Sequence, residues 1–231
     1  PSADRFDDIS LTNYRDAWSY PNAARAIKNT LVLASSAATA IVLISAVISW
    51  LVVRTKVIGR HIVDIIATMP IAIPGIVAGL AVMWAYLTFM DWIPVYGTIW
   101  ILIIAYTGKY MPYGIRATNS SLLQIHKELE EVAETSGAAW RQTFIKVTLP
   151  LLLPAIISAW VYIFMVSVRT LGEAILLYTT SSEVISVLIY DMWDAGESTV
   201  ICALGVMVIA FMVMLIFAVR SIGGRVGAHR L

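Results

Sequence analysis

The side chains best placed to do chemistry in this chain are the carboxylates of one charged stretch between two apolar runs. The stretch, Gln124–Pro154, is called the polar segment, and its first half carries Glu128, Glu130, Glu131 and Glu134. Acids on a helix, next to small residues, can pair with the basic side chains of a partner protein. The polar segment is therefore a candidate docking surface, and the alternative is a loop that packs only on its own bundle.

The spacing of side chains predicts two helices in the polar segment, separated by a bend. On the first helix, apolar and small residues recur at helical spacing, namely Leu122, Ile125, Leu129, Val132, Ala133 and Ser136. Gly137 follows and suits a helix end or a sharp bend. Leu149-Pro150 closes the second, short helix, because proline suits the first turn of the next one. That short helix holds Trp140, Phe144 and Val147.

The sequence lacks motifs for nucleotide hydrolysis and for zinc binding. Gly108-Lys109 is followed by Tyr110, and Ile103 stands where the first glycine of a phosphate-binding loop belongs. The histidines, which lack the spacing of zinc ligands, are His61, His126 and His229. We therefore expect no enzyme activity in this chain, and no metal or cofactor bound to it.

Composition places the chain in a membrane. Hydrophobic residues make up 59% and charged residues 13%, against about 25% charged in soluble domains. The apolar residues form runs of the length that crosses about 30 Å of hydrocarbon, which predicts an all-α polytopic membrane protein in contact with lipid. Five spans are expected: Leu31–Val53, Ile62–Met90, Thr98–Tyr113, Leu151–Val168 and Val200–Val219. The apolar stretch at residues 174–193 is interrupted by polar residues, which predicts a helix end, a turn and a short helix at the membrane surface. The net charge of +1 gives no argument for nucleic acid.

Basic residues set the orientation, because cytoplasmic loops are rich in Lys and Arg. Of the 16 Lys and Arg residues, 11 fall in the loops on the side of the polar segment, so that segment and the C-terminus are expected in the cytoplasm. An external N-terminus without a signal predicts a preceding span in a longer chain. The expected organisation is a connector with an amphipathic helix (1–30), a membrane domain (31–219, with the coupling loop at about 122–150) and a basic cytoplasmic tail (220–231).

Prolines and glycines mark the second span. Pro70 and Pro74 leave carbonyl groups without helical partners, so they kink or unwind the span. Gly75 and Gly79 form a surface for close helix approach. The region serves either helix packing or a hinge that lines a pathway. Lys109, near the inner end of the third span, is expected to snorkel to the interface.

Charged residues near the span ends allow two interpretations each. Arg169 and Glu173 are four residues apart at the outer end of the fourth span, and they form either a mutual salt bridge or a polar mouth that contacts solute. Asp64, close to the inner membrane edge, is either functional or paired with Arg60 one turn away.

The polar segment also resembles a known motif. Glu131-Val132-Ala133, three residues, Gly137, nine residues, Val147, one residue and Leu149-Pro150 match the spacing of the EAA loop of binding-protein-dependent ABC importer permeases. The departures from that motif are Val132 for alanine and Val147 for isoleucine. Residues 69–81, 96–106 and 176–197 are similar to the ferric-iron branch of the family, which also holds 2-aminoethylphosphonate permeases.

The resemblance implies a type I ABC importer fold in the bacterial inner membrane, with a coupling helix that docks into a cleft of the cytoplasmic ATPase. It implies two ATPase subunits that carry ATP and Mg, a periplasmic binding protein, and a second permease unit, as a homodimer or a fused half. The residues that it assigns to ATPase coupling are Glu130, Glu131, Val132, Ala133, Ser136, Gly137 and Ala138.

The transport function that follows is import of a small solute, with ferric iron favoured by the resemblance. The alternative solutes are phosphonate, sulfate, thiamine and polyamine. A secondary transporter or channel driven by an ion gradient is the rival from another class, and it predicts charged relays in mid-span and no docking helix. A membrane scaffold without transport activity is a second rival, which association with an ATPase would distinguish.

Single cysteines at Gln124 and Ser198, in a Cys202→Ala background, test the orientation. A membrane-impermeant maleimide is expected to label Ser198→Cys from outside and Gln124→Cys only from the cytoplasmic side, because the basic loops lie inside. Labelling of both positions from one side would remove the argument from charge.

Overall fold

The computed structural model describes residues 11–90 and 92–228, with side chains up to Val219. All regular elements in these ranges are helical. They are α1 (Thr12–Ser19), α2 (Ala23–Arg54), α3 (Arg60–Thr68), α4 (Gly75–Phe89), α5 (Ile99–Gln124), α6 (Glu128–Thr135), α7 (Trp140–Thr143), α8 (Leu149–Arg169), α9 (Ala174–Leu177), α10 (Ile185–Asp194) and α11 (Ser198–Ala228), with a 3-10 turn at Met69–Ala72 and a π turn at Phe144–Thr148. Residues 1–10 of the expected connector, and the basic side chains of the expected tail, lie outside this description.

Helix α2 is the centre of the bundle and packs against α5 and α8. It has 32 residues, which is about 48 Å at 1.5 Å per residue, and it begins at Ala23, ahead of the expected Leu31. Small side chains on its buried face let neighbouring backbones approach closely. The ones with no exposed surface are Ala26, Ala34, Ala37, Ala38, Ser45 and Ser49.

The α2–α5 contact requires a glycine on α5. A Cβ on Gly114 would lie 2.4 Å from Ser45 Oγ and 2.8 Å from Ile41 Cγ2, which is closer than real Cβ contacts. One turn further along α5, the hydroxyl groups of Thr118 and Ser49 share a hydrogen bond. Both hydroxyls are fully buried, so each needs that partner to offset its lost hydration.

The expected second span is divided into two parts at an angle of 117°. The first part is α3 with its 3-10 turn, and the second is α4. Ile73 between them is extended, with φ −91° and ψ 125°, because the residue before a proline is driven out of the helical region. Pro74 also lacks the N–H that would continue the ladder. The kink expected from Pro70 and Pro74 is therefore a complete break.

Within the described residues, three helical stretches are long and apolar enough to cross a membrane: Ala23–Arg54, Trp140–Arg169 and Ser198–Val219. The bent pair adds a fourth if its two parts form one span. Helix α5, expected as a span over Thr98–Tyr113, continues through polar residues to Gln124. Helix α5 is less apolar than the other long helices. Neighbouring helices cover much of its surface, so fewer of its side chains need to be apolar. The count of five spans stays a prediction.

The interrupted apolar stretch forms α9, a turn and α10, as its sequence predicts. Asn29 on α2 donates hydrogen bonds to the carbonyl oxygens of Ser181 (3.0 Å) and Glu183 (2.9 Å). The Ile185 amide donates to Thr30 Oγ1 at 2.8 Å. The turn is thus fixed to α2. Burial, and to a smaller degree the Asp191 carboxylate, raise the pKa of Glu183 above its usual value.

Gly114→Ala is expected to destabilise the bundle by about 1–3 kcal/mol, the usual cost of overpacking, because its methyl group meets α2. Gly108→Ala on the same helix is the matched control, since a Cβ there has no atom within 4 Å. The measurement is the melting temperature of each purified variant in detergent. Equal melting temperatures would contradict the close α2–α5 contact.

Candidate functional site

The first helix of the polar segment, α6, ends at a glycine with left-handed backbone geometry. Gly137 has φ +85°. Its amide donates to Glu134 O at 2.9 Å, and the Ala138 amide donates to Ala133 O at 3.1 Å, which is the hydrogen-bond pattern of a Schellman helix end. No atom lies within 4 Å of a Cβ built on Gly137. The glycine is therefore required by its backbone conformation and not by lack of space.

The polar segment has two arms, α6 and the stretch Trp140–Thr148 after the bend. The second arm differs from the sequence prediction. The expected short helix closed by Leu149-Pro150 instead continues without a break from Trp140 to Arg169. The π turn makes this possible, because the Leu149 amide donates to Phe144 O, five residues back. Pro150 then falls in the first turn of α8, where its missing N–H is tolerated.

An aromatic contact joins this arm to α2. The rings of Trp50 and Trp140 stack with centroids 5.3 Å apart. Phe144 meets Trp50 edge-on at 5.9 Å. Aromatic pairs in such geometries contribute about 0.5–1.5 kcal/mol beyond their buried area. The arm is thus anchored at the end of α2.

Glu130, grouped with the docking residues in the sequence, instead faces the bundle. It is 7% exposed. Its Oε1 accepts hydrogen bonds from Arg54 Nε at 3.2 Å and from Thr148 Oγ1 at 2.9 Å. The Arg54 guanidinium also donates to Leu122 O at 3.0 Å and Ile125 O at 2.6 Å. One buried ion pair therefore connects α2, α6, the end of α5 and the start of α8.

The outward face of α6 holds most of the other predicted coupling residues. Glu131 pairs with Lys127 at 3.1 Å, with side chains 56% and 62% exposed, respectively. Val132 is 64% exposed, although an apolar side chain normally gains from burial. Ser136 and Gly137 are also exposed, while Ala133 and Ala138 are half-buried. These residues form one accessible surface, which we call the α6 face.

The predicted hinge residues meet at a different place, the break between α3 and α4. A Cβ on Gly75 would lie 3.0 Å from both carboxylate oxygens of Glu173, and one on Gly79 would lie 3.1 Å from Glu173 Cα. The glycine pair therefore accommodates the chain before α9 and not another long helix. Glu173 is 1% exposed, and its carboxylate lies at the N-terminus of α4, where the helix dipole favours negative charge.

Lys109 faces the opposite side of the same break. Its ammonium group donates to the carbonyl oxygens of Pro70 (3.5 Å) and Ile73, and the Pro70 carbonyl also accepts the Ile73 amide at 3.2 Å. Lys109 therefore has hydrogen-bond partners within the bundle, and its snorkelling to the inner interface stays a prediction. The two charges complement the two helix ends, with a cation at the carbonyl end and an anion at the amide end.

The expected Arg169–Glu173 salt bridge is not formed. The described side chains form two salt bridges, Arg54–Glu130 and Lys127–Glu131. Arg169 is exposed and lies in a groove between α8 and α11, lined also by Tyr162, Met165 and Met212. Asp64 is not paired with Arg60 either, and Asp64 Oδ1 is buried without a hydrogen-bond partner among the described residues.

Sequence reasoning missed the residues that hold the polar segment in place. Arg54 counted only as a basic loop residue, Thr148 carried no pattern, and Trp50 lay inside an apolar run. One signal was available, since Trp50 and Arg54 are four residues apart and share a helix face. No group of three or more His, Cys, Asp or Glu among the described residues is arranged to hold a metal ion.

The helical fold and the apolar stretches define a multi-pass α-helical membrane protein. The chain belongs to the family of binding-protein-dependent transport system inner membrane components, which matches residues 41–227. It is 30% identical to the ferric transport system permease protein FbpB of Actinobacillus pleuropneumoniae over 82% of this chain and 27% of that protein. It is 25% identical to the sulfate transport system permease protein CysT of Escherichia coli K12 over 95% and 83% of the two chains.

The fold is also that of a solved transporter. The bacterial alginate ABC transporter, crystallised with a periplasmic protein bound to an alginate pentasaccharide, superimposes with a TM-score of 0.78 at 21% identity, over 97% of this chain and 86% of that one. The type I importer fold expected from the sequence is confirmed. This chain spans only about a quarter of the ferric relative's length, as the 27% coverage states.

Lys109→Met is expected to lower stability by about 1.5–3 kcal/mol, the range for hydrogen bonds to a charged group, because it removes the charged donor to the carbonyl oxygens of Pro70 and Ile73. Lys146→Met is the control, since Lys146 is exposed on the polar segment. Thermal unfolding in detergent measures both. Equal stabilities would show that Lys109 does not support the break.

Proposed function

We propose that this chain is the permease subunit of an ABC importer, and that α6 is the coupling helix on which a cytoplasmic ATPase docks. The observation that carries the proposal is the α6 face. It exposes Glu131, Val132 and Gly137 while the rest of the polar segment is anchored to the bundle. A rigidly held helix with an exposed apolar and acidic face is suited to a groove with basic side chains.

The hydrolysis of ATP, with its Mg, belongs in this proposal to two partner ATPase subunits. The solute arrives from a periplasmic binding protein, and a second permease unit, in a homodimer or a fused chain, completes the pathway. The membrane domain is residues 31–219, with an external connector before it and a cytoplasmic tail after it. A channel or ion-driven transporter would not need an anchored helix with such a face.

The break between α3 and α4 is the proposed hinge beside the pathway. Its geometry depends on Pro70, Pro74, Gly75 and Gly79, and on the buried carboxylate of Glu173 that lies against the two glycines. Because charged side chains lie at both helix ends of the break, the angle between α3 and α4 can change without exposing unpaired carbonyl groups to lipid. The exposed Arg169, in the groove between α8 and α11, is the proposed polar contact for the solute.

Ferric iron is the proposed solute, and sulfate is the second candidate. Similarity to the ferric permease supports iron. Similarity to the sulfate permease covers more of both chains, and the exposed guanidinium of Arg169 suits an anion. Uptake of radiolabelled iron and of sulfate by the unaltered transporter in proteoliposomes, each with its binding protein, distinguishes them.

Glu131→Ala and Gly137→Val are expected to fold normally and to reduce copurification of the ATPase, with solute uptake falling as a result. Valine at Gly137 strains the left-handed backbone by roughly 1–2 kcal/mol. In the docked complex Glu131 is expected to form a charge pair with the ATPase, and loss of one partner of such a buried pair costs about 2–5 kcal/mol of binding free energy. Copurification with the tagged chain and uptake in proteoliposomes are measured. Glu197→Ala, which removes an exposed acid far from α6 in sequence, is the control. Normal association of both variants would leave the α6 face without a docking role.

A further inference from the structure

The last turn of α2 contacts both arms of the polar segment. Trp50 and Arg54 are four residues apart, so they lie on one face of the helix. Trp50 stacks on Trp140 of the second arm, and Arg54 pairs with Glu130 of α6. A displacement of either arm therefore acts on the same turn of α2.

The two contacts differ in how they resist movement. The stacked rings of Trp50 and Trp140 carry no charge, so a shift of one ring leaves no buried ion without a partner. The Arg54–Glu130 ion pair is directional and shielded from water, with side chains 9% and 10% exposed. Its remaining hydrogen bonds go to Thr148 and to the last carbonyls of α5. A shift of α6 that breaks the pair leaves buried charges without partners.

Two neighbouring acids on α6 thus have opposite surroundings. Glu131 points outward and pairs with Lys127 in water-exposed surroundings. Glu130, one residue before it and about 100° around the helix, points inward, and its Oε1 accepts hydrogen bonds from Arg54 and Thr148. An outward acid can contact a partner, whereas the inward acid can only contact this chain's own helices.

We propose that the Arg54–Glu130 pair is the joint that passes movement of α6 to α2, α5 and α8. The inference rests on the proposed coupling function and adds a role for two positioning residues that do not touch the ATPase. With the pair intact, the end of α2, the end of α5 and the start of α8 are bonded to the same two side chains, so they move with α6 as one unit. Without the pair, α6 remains docked on the ATPase but moves independently of the spans.

Glu130→Gln tests the joint, because it removes the charge and keeps the size of the side chain. The complex with ATPase and binding protein is reconstituted, and the number of solute molecules imported per ATP hydrolysed is measured. We expect ATPase copurification to be retained while that ratio falls at least about fivefold, the lower end of typical coupling between sites. Lys127→Gln is the matched control, because it breaks the exposed pair of the same helix, and its ratio is expected to stay unchanged.

The double variant Arg54→Gln with Glu130→Gln is expected to show a ratio no lower than the worse single variant, since the residues act through one interaction. Thr148→Val, which removes one hydrogen bond and no charge, is expected to give a smaller fall. If Glu130→Gln is not stably inserted in the membrane, the ratio measured for Thr148→Val tests the joint instead.

An unchanged ratio in Glu130→Gln, or in Thr148→Val where that variant decides, overturns the joint. Loss of ATPase copurification in Glu130→Gln, like that expected for Glu131→Ala, also overturns it, because Glu130 then belongs to the docking surface. Failure of the unaltered chain to associate with any ATPase is a different result. It refutes the proposed function itself.

Discussion

A carbonyl oxygen freed at a helix end inside a membrane protein has no water to bind, and this constraint organises the bundle. At four points where a helix stops or the backbone turns, a side chain from another helix donates to main-chain carbonyls. Arg54 does so at the end of α5, Lys109 at the break before α4, and the hydroxyl of Tyr106 at Thr170 after α8. Asn29 does the same for the turn between α9 and α10. These four irregular points of the backbone are thus also tertiary contacts.

This constraint explains why charged residues that look like surface features lie inside the fold. A buried ion pair loses much of its hydration free energy, and only good geometry and further hydrogen bonds compensate for that loss. Arg54 and Glu130 meet both conditions, with partners on α5 and at the start of α8. The exposed pair Lys127–Glu131 meets neither condition, and pairs of this kind contribute about 0–1 kcal/mol. The polar segment is therefore anchored on one side and accessible on the other, an arrangement suited to a helix that must be held by one protein and contacted by another.

Membership of the binding-protein-dependent family gives the class of protein, and the fold agrees with it. The solute is a separate question. Relatives named for ferric iron and for sulfate both match this chain. The helix ends at the α3–α4 break, where Lys109 and Glu173 lie, form the proposed hinge.

The sequence alone determined the helical class, the break at Pro70 and Pro74, the helix end at Gly137 and the EAA spacing, because these depend on hydropathy, proline geometry and local backbone preference. It did not determine which acid of α6 is buried. Glu130 and Glu131 are the same residue type in adjacent positions, and only the placement of Arg54, 76 residues away, turns one inward. Lys109 and Glu173 could likewise be recognised as charges at span ends, but the sequence did not show that Lys109 bonds to the carbonyls between α3 and α4 or that Glu173 lies against the glycines of α4. Only the tertiary structure could decide these contacts, because they join segments that are distant in the chain and satisfy groups that the bundle itself has buried.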